Sequence, residues 1–319
     1  MISEKTQLDR SLGFACPRCK MRLVFSSTDM MMKCIHPACG YQYPIHQSIP
    51  ILINDASSAF CINDFLQNSL TYFSQGHHRQ KTNCRIPMNQ NALHNFAHVR
   101  DLLLHDIPTP LILILGGSIR GIGSEVLLDH PKVRCVETDI SFGPHTQIIC
   151  DAHDIPFANE TFDAVVAQAV LEHVADPYRC ADEIHRVLKP SGLVYSEIPF
   201  MQQVHGGAYD FTRFTLQGHR RLFQKFEPIE YGPLGGPGTA LAWAYLHFFD
   251  AWTQQPTWRK IVRGFARFTS FWLKYTDAIL LNRPGASDAA SATFFMGRKS
   301  EQTLSDRELV RSYHSASNR

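Results

Sequence analysis

The stretch from Leu111 to Pro199 constrains this chain more than any other. It opens with the apolar run Leu111-Ile112-Leu113-Ile114-Leu115, which breaks into Gly116-Gly117-Ser118-Ile119-Arg120-Gly121-Ile122-Gly123. A second short apolar segment, about twenty residues further on, ends at Glu137-Thr138-Asp139. A buried strand, a glycine-rich turn, a helix and a second strand ending in a carboxylate make a nucleotide-binding βαβ unit. The glycines let the backbone approach a ligand closely, and the carboxylate can accept hydrogen bonds from both hydroxyls of a ribose. A glycine-rich loop alone is also what a tight structural turn looks like. These glycines do not follow the G-x-G-x-x-G order of a pyrophosphate site, so the downstream residues decide.

Downstream come Cys150-Asp151-Ala152-His153-Asp154-Ile155-Pro156-Phe157 and Phe162-Asp163-Ala164-Val165-Val166. Then follow Leu171-Glu172-His173-Val174, Asp176-Pro177, Glu183-Ile184, Arg186-Val187-Leu188-Lys189-Pro190-Ser191-Gly192 and Leu193-Val194-Tyr195. In this order the series closely resembles the class I S-adenosylmethionine-dependent methyltransferases, especially their small-molecule branch. The resemblance covers roughly 111–236, plus a last strand at Ala292-Thr293-Phe294-Phe295-Met296. It implies an α/β three-layer fold around a mostly parallel seven-stranded sheet, with S-adenosyl-L-methionine as cofactor. It also implies that Gly116, Gly117, Gly121 and Gly123 lie under the methionine part of the cofactor. Asp139 matches the acid that binds the ribose, and Asp151, with Ala152 beside it, the acceptor for the adenine amino group. Gln168 matches the position facing the sulfonium. One position departs: Ile114 stands where the family usually carries an acid that helps to hold the cofactor's amino group. A degenerate, non-catalytic cofactor-binding scaffold therefore stays open as an alternative function.

Four of the nine cysteines fall in the first forty residues: Cys16-Pro17-Arg18-Cys19, then Cys34 and Cys39. Two cysteines separated by two residues present both thiolates to one metal, and a second knuckle about fifteen residues later completes a tetrahedral zinc site. The second pair has four intervening residues, so His36, three before Cys39, is an alternative ligand to Cys34. A segment this short has little core of its own, which disfavours four ordinary buried thiols. With Tyr43-Pro44-Ile45 and Ser48-Ile49-Pro50-Ile51-Leu52-Ile53, residues 12–54 resemble the small zinc ribbons that partner and activate tRNA and protein methyltransferases. Here the ribbon precedes the transferase in one chain. Its zinc, with all four positions filled, would be structural.

The length of 319 residues and apolar content of 44% suit a core-bearing domain with an appended module. The expected division is a ribbon over 1–54, a helical connector over 55–106, the methyltransferase domain over 107–300 and a polar tail over 301–319. In the connector, Phe60, Phe65, Leu66, Leu70 and Phe73 are spaced as in one amphipathic helix. Leu93, Phe96, Ala97, Leu103 and Leu104 mark a second, stopped by Pro108 and Pro110. The resemblance implies that such a helix covers the cofactor; packing the ribbon onto the sheet is the other option. A net charge of +2 makes no case for nucleic acid. The start Met-Ile-Ser-Glu-Lys carries no secretory signal, and no run of about eighteen apolar residues suggests a spanning helix. Nine unevenly placed cysteines fit a reduced compartment. The expectation is a cytoplasmic protein, with membrane-peripheral contact as an option.

Methyl transfer is an in-line displacement, for which an enzyme must align the nucleophile and remove its proton when necessary. Acceptor-side residues usually follow the fourth and fifth strands. Here those segments hold Glu172-His173 and the run from Pro199 to Phe214, which places His205, Tyr209, Asp210 and Arg213 among glycines and aromatics. His205 is the candidate base, with His173, Tyr209, Asp210 and Arg213 as catalytic or substrate contacts. The plainer readings are that His173 begins the next helix and that Arg213 binds Asp210 to fix the loop. Between about 238 and 281 lies an insertion rich in Trp, Phe and Tyr, interleaved with Arg259, Lys260, Arg263, Arg267 and Lys274 and divided by Pro256. Such a pattern suits a helix lying in a membrane interface or docking a lipidic or protein partner. A helical pair packed on the sheet, or in a dimer, fits it too. The expected function is methyl transfer to an oxygen or nitrogen of a small or lipid-linked acceptor. An RNA or protein methyltransferase with a built-in activator ribbon is a further alternative; the near-neutral charge argues against RNA.

Overall fold

The computed structural model describes residues 12–68, 90–253 and 255–313. Its centre is β5 (Leu111–Leu115), whose LILIL run lacks any polar alternation because both faces of the strand are covered. On one side β5 pairs in parallel with β6 (Arg134–Asp139), and β6 with β7 (Ile148–Cys150). On the other side it pairs in parallel with β8 (Phe162–Gln168), and β8 with β9 (Leu188–Pro199). The sheet closes with β10 (Phe226–Gly235) and β11 (Ala292–Lys299), β11 inserted antiparallel between β9 and β10. The seven strands thus run in the order β7-β6-β5-β8-β9-β11-β10, with only β11 reversed. This is the class I methyltransferase fold expected from the sequence. The carboxyl ends of β5, β6 and β8 point to one edge, and the order reverses direction at β5. That is where α/β sheets leave a crevice for ligands.

The N-terminal segment does not stand apart from this sheet. Strands β1 (Leu23–Ser26), β2 (Met31–Cys34), β3 (Gln42–His46) and β4 (Ile49–Leu52) form an antiparallel meander. β4 then pairs in parallel with β7, Ile51 opposite Ile149 and Leu52 opposite Cys150. The run Ile49–Ile53 is apolar because it joins the edge of a parallel sheet, and Ile51, Leu52 and Ile53 are fully buried. A bridge between Phe14 and Phe157 and ion pairs from Lys20 to Glu183 (2.7 Å) and Asp154 (3.4 Å) fasten the other end of the meander. The division at 54 therefore falls inside one continuous sheet.

Of the first connector helix, the structure describes α1 (Ile62–Asn68); the positions Leu70 and Phe73 lie outside the described residues. The second is α2 (Gln90–Asp106), whose buried stripe is Ala92, Phe96, Val99 and Leu103, while Leu93 faces solvent. The stripe is rotated from the expected one because Asn95 is also turned inward, donating to the Tyr195 hydroxyl at 3.2 Å. The helix after the glycine loop is a single turn, α3 (Glu125–Leu128). Around the remaining face come α4 (Pro177–Val187) and α5 (Leu216–Leu222). The insertion forms α6 (Pro237–Asp250), α7 (Pro256–Ser270) and α8 (Asp277–Leu280). The expected polar tail holds α9 (Asp306–Arg311), begun by a Ser305–Glu308 capping box and packed through buried Leu309.

If the seam between β4 and β7 joins both parts into one cooperative unit, Leu52→Ala lowers the unfolding free energy by about 2–5 kcal/mol. All four tryptophans lie between 243 and 272, far along the chain from β4. Urea unfolding followed by tryptophan fluorescence therefore reports on the distant half. Its midpoint falls in Leu52→Ala together with the far-ultraviolet dichroism signal. A fluorescence transition left in place would mean that the meander unfolds separately.

Candidate active site

At the carboxyl edge of the sheet lies a cavity of about 510 Å³. The residues lining it include Gly116, Gly117 and Gly121 after β5, Asp139 at the end of β6, and Asp151 and Ala152 after β7. Gln168 at the end of β8, Glu197 near the end of β9, and His173 and His205 complete its polar lining. Gly116 has a φ of +72°, and a Cβ there would lie 2.4 Å from the Val170 side chain, so only glycine makes this turn. Gly123 does not line the cavity. Its φ is +89° and a Cβ would lie 2.9 Å from the Leu93 nitrogen, so this glycine lets α2 approach the loop. Ile114 is buried in the cavity floor, offering no charge.

Each carboxylate is held differently. Asp139 accepts hydrogen bonds from the Ser118 backbone N–H (2.9 Å) and the Ser141 N–H (2.8 Å). Burial pushes its carboxyl above the usual range against these two donors. Asp151 accepts from the Ser58 hydroxyl (2.5 Å), the His153 backbone N–H (3.0 Å) and the His153 ring (2.5 Å). Burial opposes its ionisation, but His153 and Ser58 hold its carboxyl below the usual range. His153 Nε2 accepts the Asp176 N–H at 3.0 Å, which fixes Nδ1 as the protonated nitrogen that donates to Asp151. Phe60, expected on the connector helix over the cofactor, lines the cavity from just before that helix begins at Ile62, while Ser58 carried no signal in the sequence.

Glu197 is the functional candidate that sequence reasoning missed. It accepts from the Tyr195 hydroxyl (2.6 Å) and from Gln168 Nε2 (2.9 Å). Burial nevertheless pushes its carboxyl up to about 7. The only hint was a lone acid in the apolar strand Leu193–Ile198, which ordinarily marks a buried ionisable group with a task. Next to Gln168, Ala169 adopts φ +53° without being glycine, a strained conformation of the kind that clusters at functional sites.

The structure divides the predicted acceptor residues. His173 and His205 line the main cavity, their rings 4.9 Å apart and edge to face. His173 lies in a turn before α4 and begins no helix, because Asp176 caps that helix at the Arg179 N–H. Its Nδ1 faces the Tyr209 carbonyl oxygen at 2.8 Å. The Glu172 carboxylate, 3.7 Å from His205 Nε2, raises the pKa of His205. Asp210 and Arg213 instead form a bidentate pair, and with Gln202, Gln203 and His247 they line a second, shallower cavity of about 570 Å³. Burial opposes ionisation of Asp210, but Arg213 and the backbone donors of His205 and Gly206 hold its carboxyl far below the usual range. Tyr209 stacks on Phe60 with ring centroids 5.4 Å apart.

Away from the cavity, Cys16, Cys19, Cys34 and Cys39 converge with all four sulfurs within 4.8 Å of one another. Cys19 and Cys34 are 3.4 Å apart and Cys16 and Cys39 are 3.8 Å apart, all four being free thiols. His36 is not among the converging groups. Four sulfurs closing on one point fit a tetrahedral zinc ion.

Residues 118–196 match the family described as a methyltransferase domain. Over 115 residues the chain is 39% identical to the mitochondrial arginine-hydroxylase NDUFAF5 of Rattus norvegicus, covering 36% of this chain and 30% of that protein. Over 83 residues it is 46% identical to the ubiquinone/menaquinone biosynthesis C-methyltransferase UbiE of Desulfotalea psychrophila, covering 26% of this chain and 30% of that protein. The chain thus spans about a third of the length of these relatives. Among solved structures it is similar to phosphoethanolamine N-methyltransferase 2 of Haemonchus contortus in complex with S-adenosyl-L-methionine. There the identity is 14% and the TM-score 0.42, over 65% of this chain and 53% of that one. The sheet order is that of the class I S-adenosylmethionine-dependent methyltransferase fold, and the match to a methyltransferase domain falls within it.

The position of Glu197 can be checked by titration. Its carboxyl carbon, followed by NMR, titrates with a midpoint near 7. Tyr195→Phe removes a donor that favours the ionised form, so the midpoint moves upward. A midpoint in the ordinary carboxylate range in the intact protein would contradict the burial that the structure gives this side chain.

Proposed function

We propose that this protein transfers a methyl group from S-adenosyl-L-methionine to a small or lipid-linked acceptor. The observation that carries the reading is the cavity itself: the glycine loop, Asp139, Asp151, Gln168 and Glu197 line one space across four strand ends. Bound there, S-adenosyl-L-methionine would supply a sulfonium methyl whose loss leaves a neutral thioether. Gly116, Gly117 and Gly121 form the cradle, and Asp139 binds a ribose through its two buried oxygens. Asp151, with Ala152 beside it, receives an adenine amino group while Ser58 and His153 hold its carboxylate in place. Gln168 borders the reacting end. Glu197, whose carboxyl titrates near neutrality, takes the acceptor's proton. His173 and His205, with the buried Glu172 behind them, form the acceptor wall; Tyr209 supports it through its carbonyl and its stacking on Phe60. Asp210 and Arg213 brace the loop from the other side. Three of the four loop glycines and the acids Asp139, Asp151 and Glu197 line the cavity despite Ile114, which favours catalysis over the scaffold reading.

The insertion supports a lipid-linked acceptor. On α7, Trp258, Ile261, Phe265 and Phe268 repeat at helical spacing and are all exposed, while Ala266 and Ser270 are buried. No Asp or Glu interrupts Arg259, Lys260, Arg263, Arg267 and Lys274, although Asp250 pairs with Arg263 and Arg259. Exposed aromatics beside cations fit the interface of an anionic membrane. No helix among the described residues is long and apolar enough to cross one. The ribbon cysteines hold a structural zinc.

Two measurements test this reading. Two charge-assisted hydrogen bonds to one carboxylate contribute roughly 1.5–3 kcal/mol each, so Asp139→Ala weakens cofactor binding by at least about tenfold. Calorimetry finding no S-adenosyl-L-methionine binding to the intact protein would overturn the cofactor assignment. For the membrane face, the protein co-sediments with phosphatidylglycerol vesicles and much less with phosphatidylcholine ones. Trp258→Ser together with Phe268→Ser abolishes the difference; equal sedimentation of the variant would remove α7 from the contact.

A further inference from the structure

Glu172 is fully buried, and neither of its carboxylate oxygens has a hydrogen-bond partner among the described residues. A buried carboxylate is retained only when it is paired or coordinates a metal. Two imidazoles converge on it: His173 Nε2 and His205 Nε2 each lie 3.7 Å from Glu172 Oε1. His173 points its other nitrogen at the Tyr209 carbonyl oxygen at 2.8 Å, so Nδ1 donates there and Nε2 is left facing the carboxylate. A proton or a metal ion held between the carboxylate and these two Nε2 atoms satisfies all three groups. His205 Nδ1 lies 3.3 Å from the Gln203 carbonyl oxygen and 3.5 Å from Asp210 Oδ2. Arg213 Nη2 lies 3.3 Å from the same nitrogen and pairs with Asp210.

We propose that Glu172, His173 and His205 bind a divalent first-row metal ion at the wall of the cavity. One ligand atom from each residue lies within 4.8 Å of the other two. Atoms bound to one ion at roughly 2.0–2.2 Å sit roughly 3–3.5 Å apart, so the group closes with a small contraction. Two imidazoles and one carboxylate suit Fe²⁺, Mn²⁺, Co²⁺ or Zn²⁺ and leave coordination positions open. Outer carbonyl and carboxylate partners of the ring nitrogens are the usual support for histidine ligands. This site differs in chemistry from the four thiolates of the ribbon. Resting on the methyltransferase reading, the open positions face the acceptor, which is then a compound that chelates through neighbouring oxygens. The ion orients one of these oxygens, and Glu197 remains free to take its proton.

The test uses Co²⁺ alone, added to the full chain with its ribbon zinc retained, without cofactor or acceptor. One Co²⁺ per chain binds with visible d–d absorption and no thiolate charge-transfer band. Glu172→Gln and His205→Asn each weaken it by at least about a hundredfold, more than the 10–100-fold typical of outer partners. His205→Asn alters a partly exposed loop, so it carries the test should the buried Glu172→Gln fail to fold. Asp139→Ala keeps the Co²⁺ site while losing cofactor, which separates failure of this proposal from failure of the methyltransferase reading. Absence of a thiolate-free Co²⁺ site, or uptake undiminished in His205→Asn, would overturn the proposal and leave the three groups sharing a proton.

Discussion

Two residue pairs at the edge of the sheet, Ile51 with Ile149 and Leu52 with Cys150, determine how the rest of this molecule is arranged. An exposed parallel edge presents unpaired amides and carbonyls and is usually covered. Here the covering strand comes from the cysteine-bearing meander, so the sheet runs unbroken from β1 to β10. Because β4 ends beside β7, the chain leaving it passes directly over the residues that follow β7. Asn54 and Ser57 then reach Asp154 at 3.1 and 2.9 Å, Ser58 reaches Asp151, and Phe60 enters the cavity lining. The four-cysteine segment is thereby coupled to the ligand end of the sheet through backbone pairing as well as side-chain contact.

The cavity concentrates buried acids, and the energetic cost of each is met in its own way. Asp139 takes backbone donors, which come free at the ends of strands. Asp151 shares a histidine whose tautomer is set by a helix N-cap residue. Glu197 meets the cost by keeping its proton over part of the neutral range, against Tyr195 and Gln168, whose donated hydrogen bonds favour the ionised form. Glu172 accepts no hydrogen bond among the described residues and has His173 and His205 at 3.7 Å as its charge partners, a place where a bound cation would meet the remaining cost. Its carboxylate raises His205 and adds to the burial that raises Glu197.

The parts of this arrangement that were legible in the sequence are those written in local order. The LILIL strand, the glycine loop and the acids ending β6 and following β7 sit on consecutive elements, so their spacing carried them. The thiol cluster was legible for the same reason, and geometry chose Cys34 over His36. What escaped depends on pairing across long separations. No pattern in Ser57-Ser58-Ala59-Phe60 says that it meets Asp151 93 residues later. Glu197 reads as one acid in a strand until Tyr195 and Gln168 are seen around it. Phe96 and Leu103 of the α2 stripe were legible, while Ala92 and Val99 were not, and Asn95, polar in any scale, is also turned inward to Tyr195. Glu172 and His173 were noticed as neighbours, yet their convergence with His205 depends on a loop folding back from β9.

That loop also explains why the insertion sits where it does. From Met201 to Phe214 the chain leaves β9, places His205 in the main cavity and returns past α6, whose His247 lines the second cavity beside Asp210 and Arg213. The Asp210–Arg213 pair thus lies between the residues of the main cavity and the second cavity that His247 of α6 also lines. Arg213 also donates to the carbonyl oxygens of Gln202 and Gln203, so the loop's backbone is fixed on both sides of His205. The exposed face of Trp258, Phe265 and Phe268 belongs to the helix packed on α6, where Phe249 meets Phe265 with ring centroids 5.6 Å apart. The loop that carries His205 and the first helix of the insertion therefore border one cavity, the loop through its ion pair and the helix through His247.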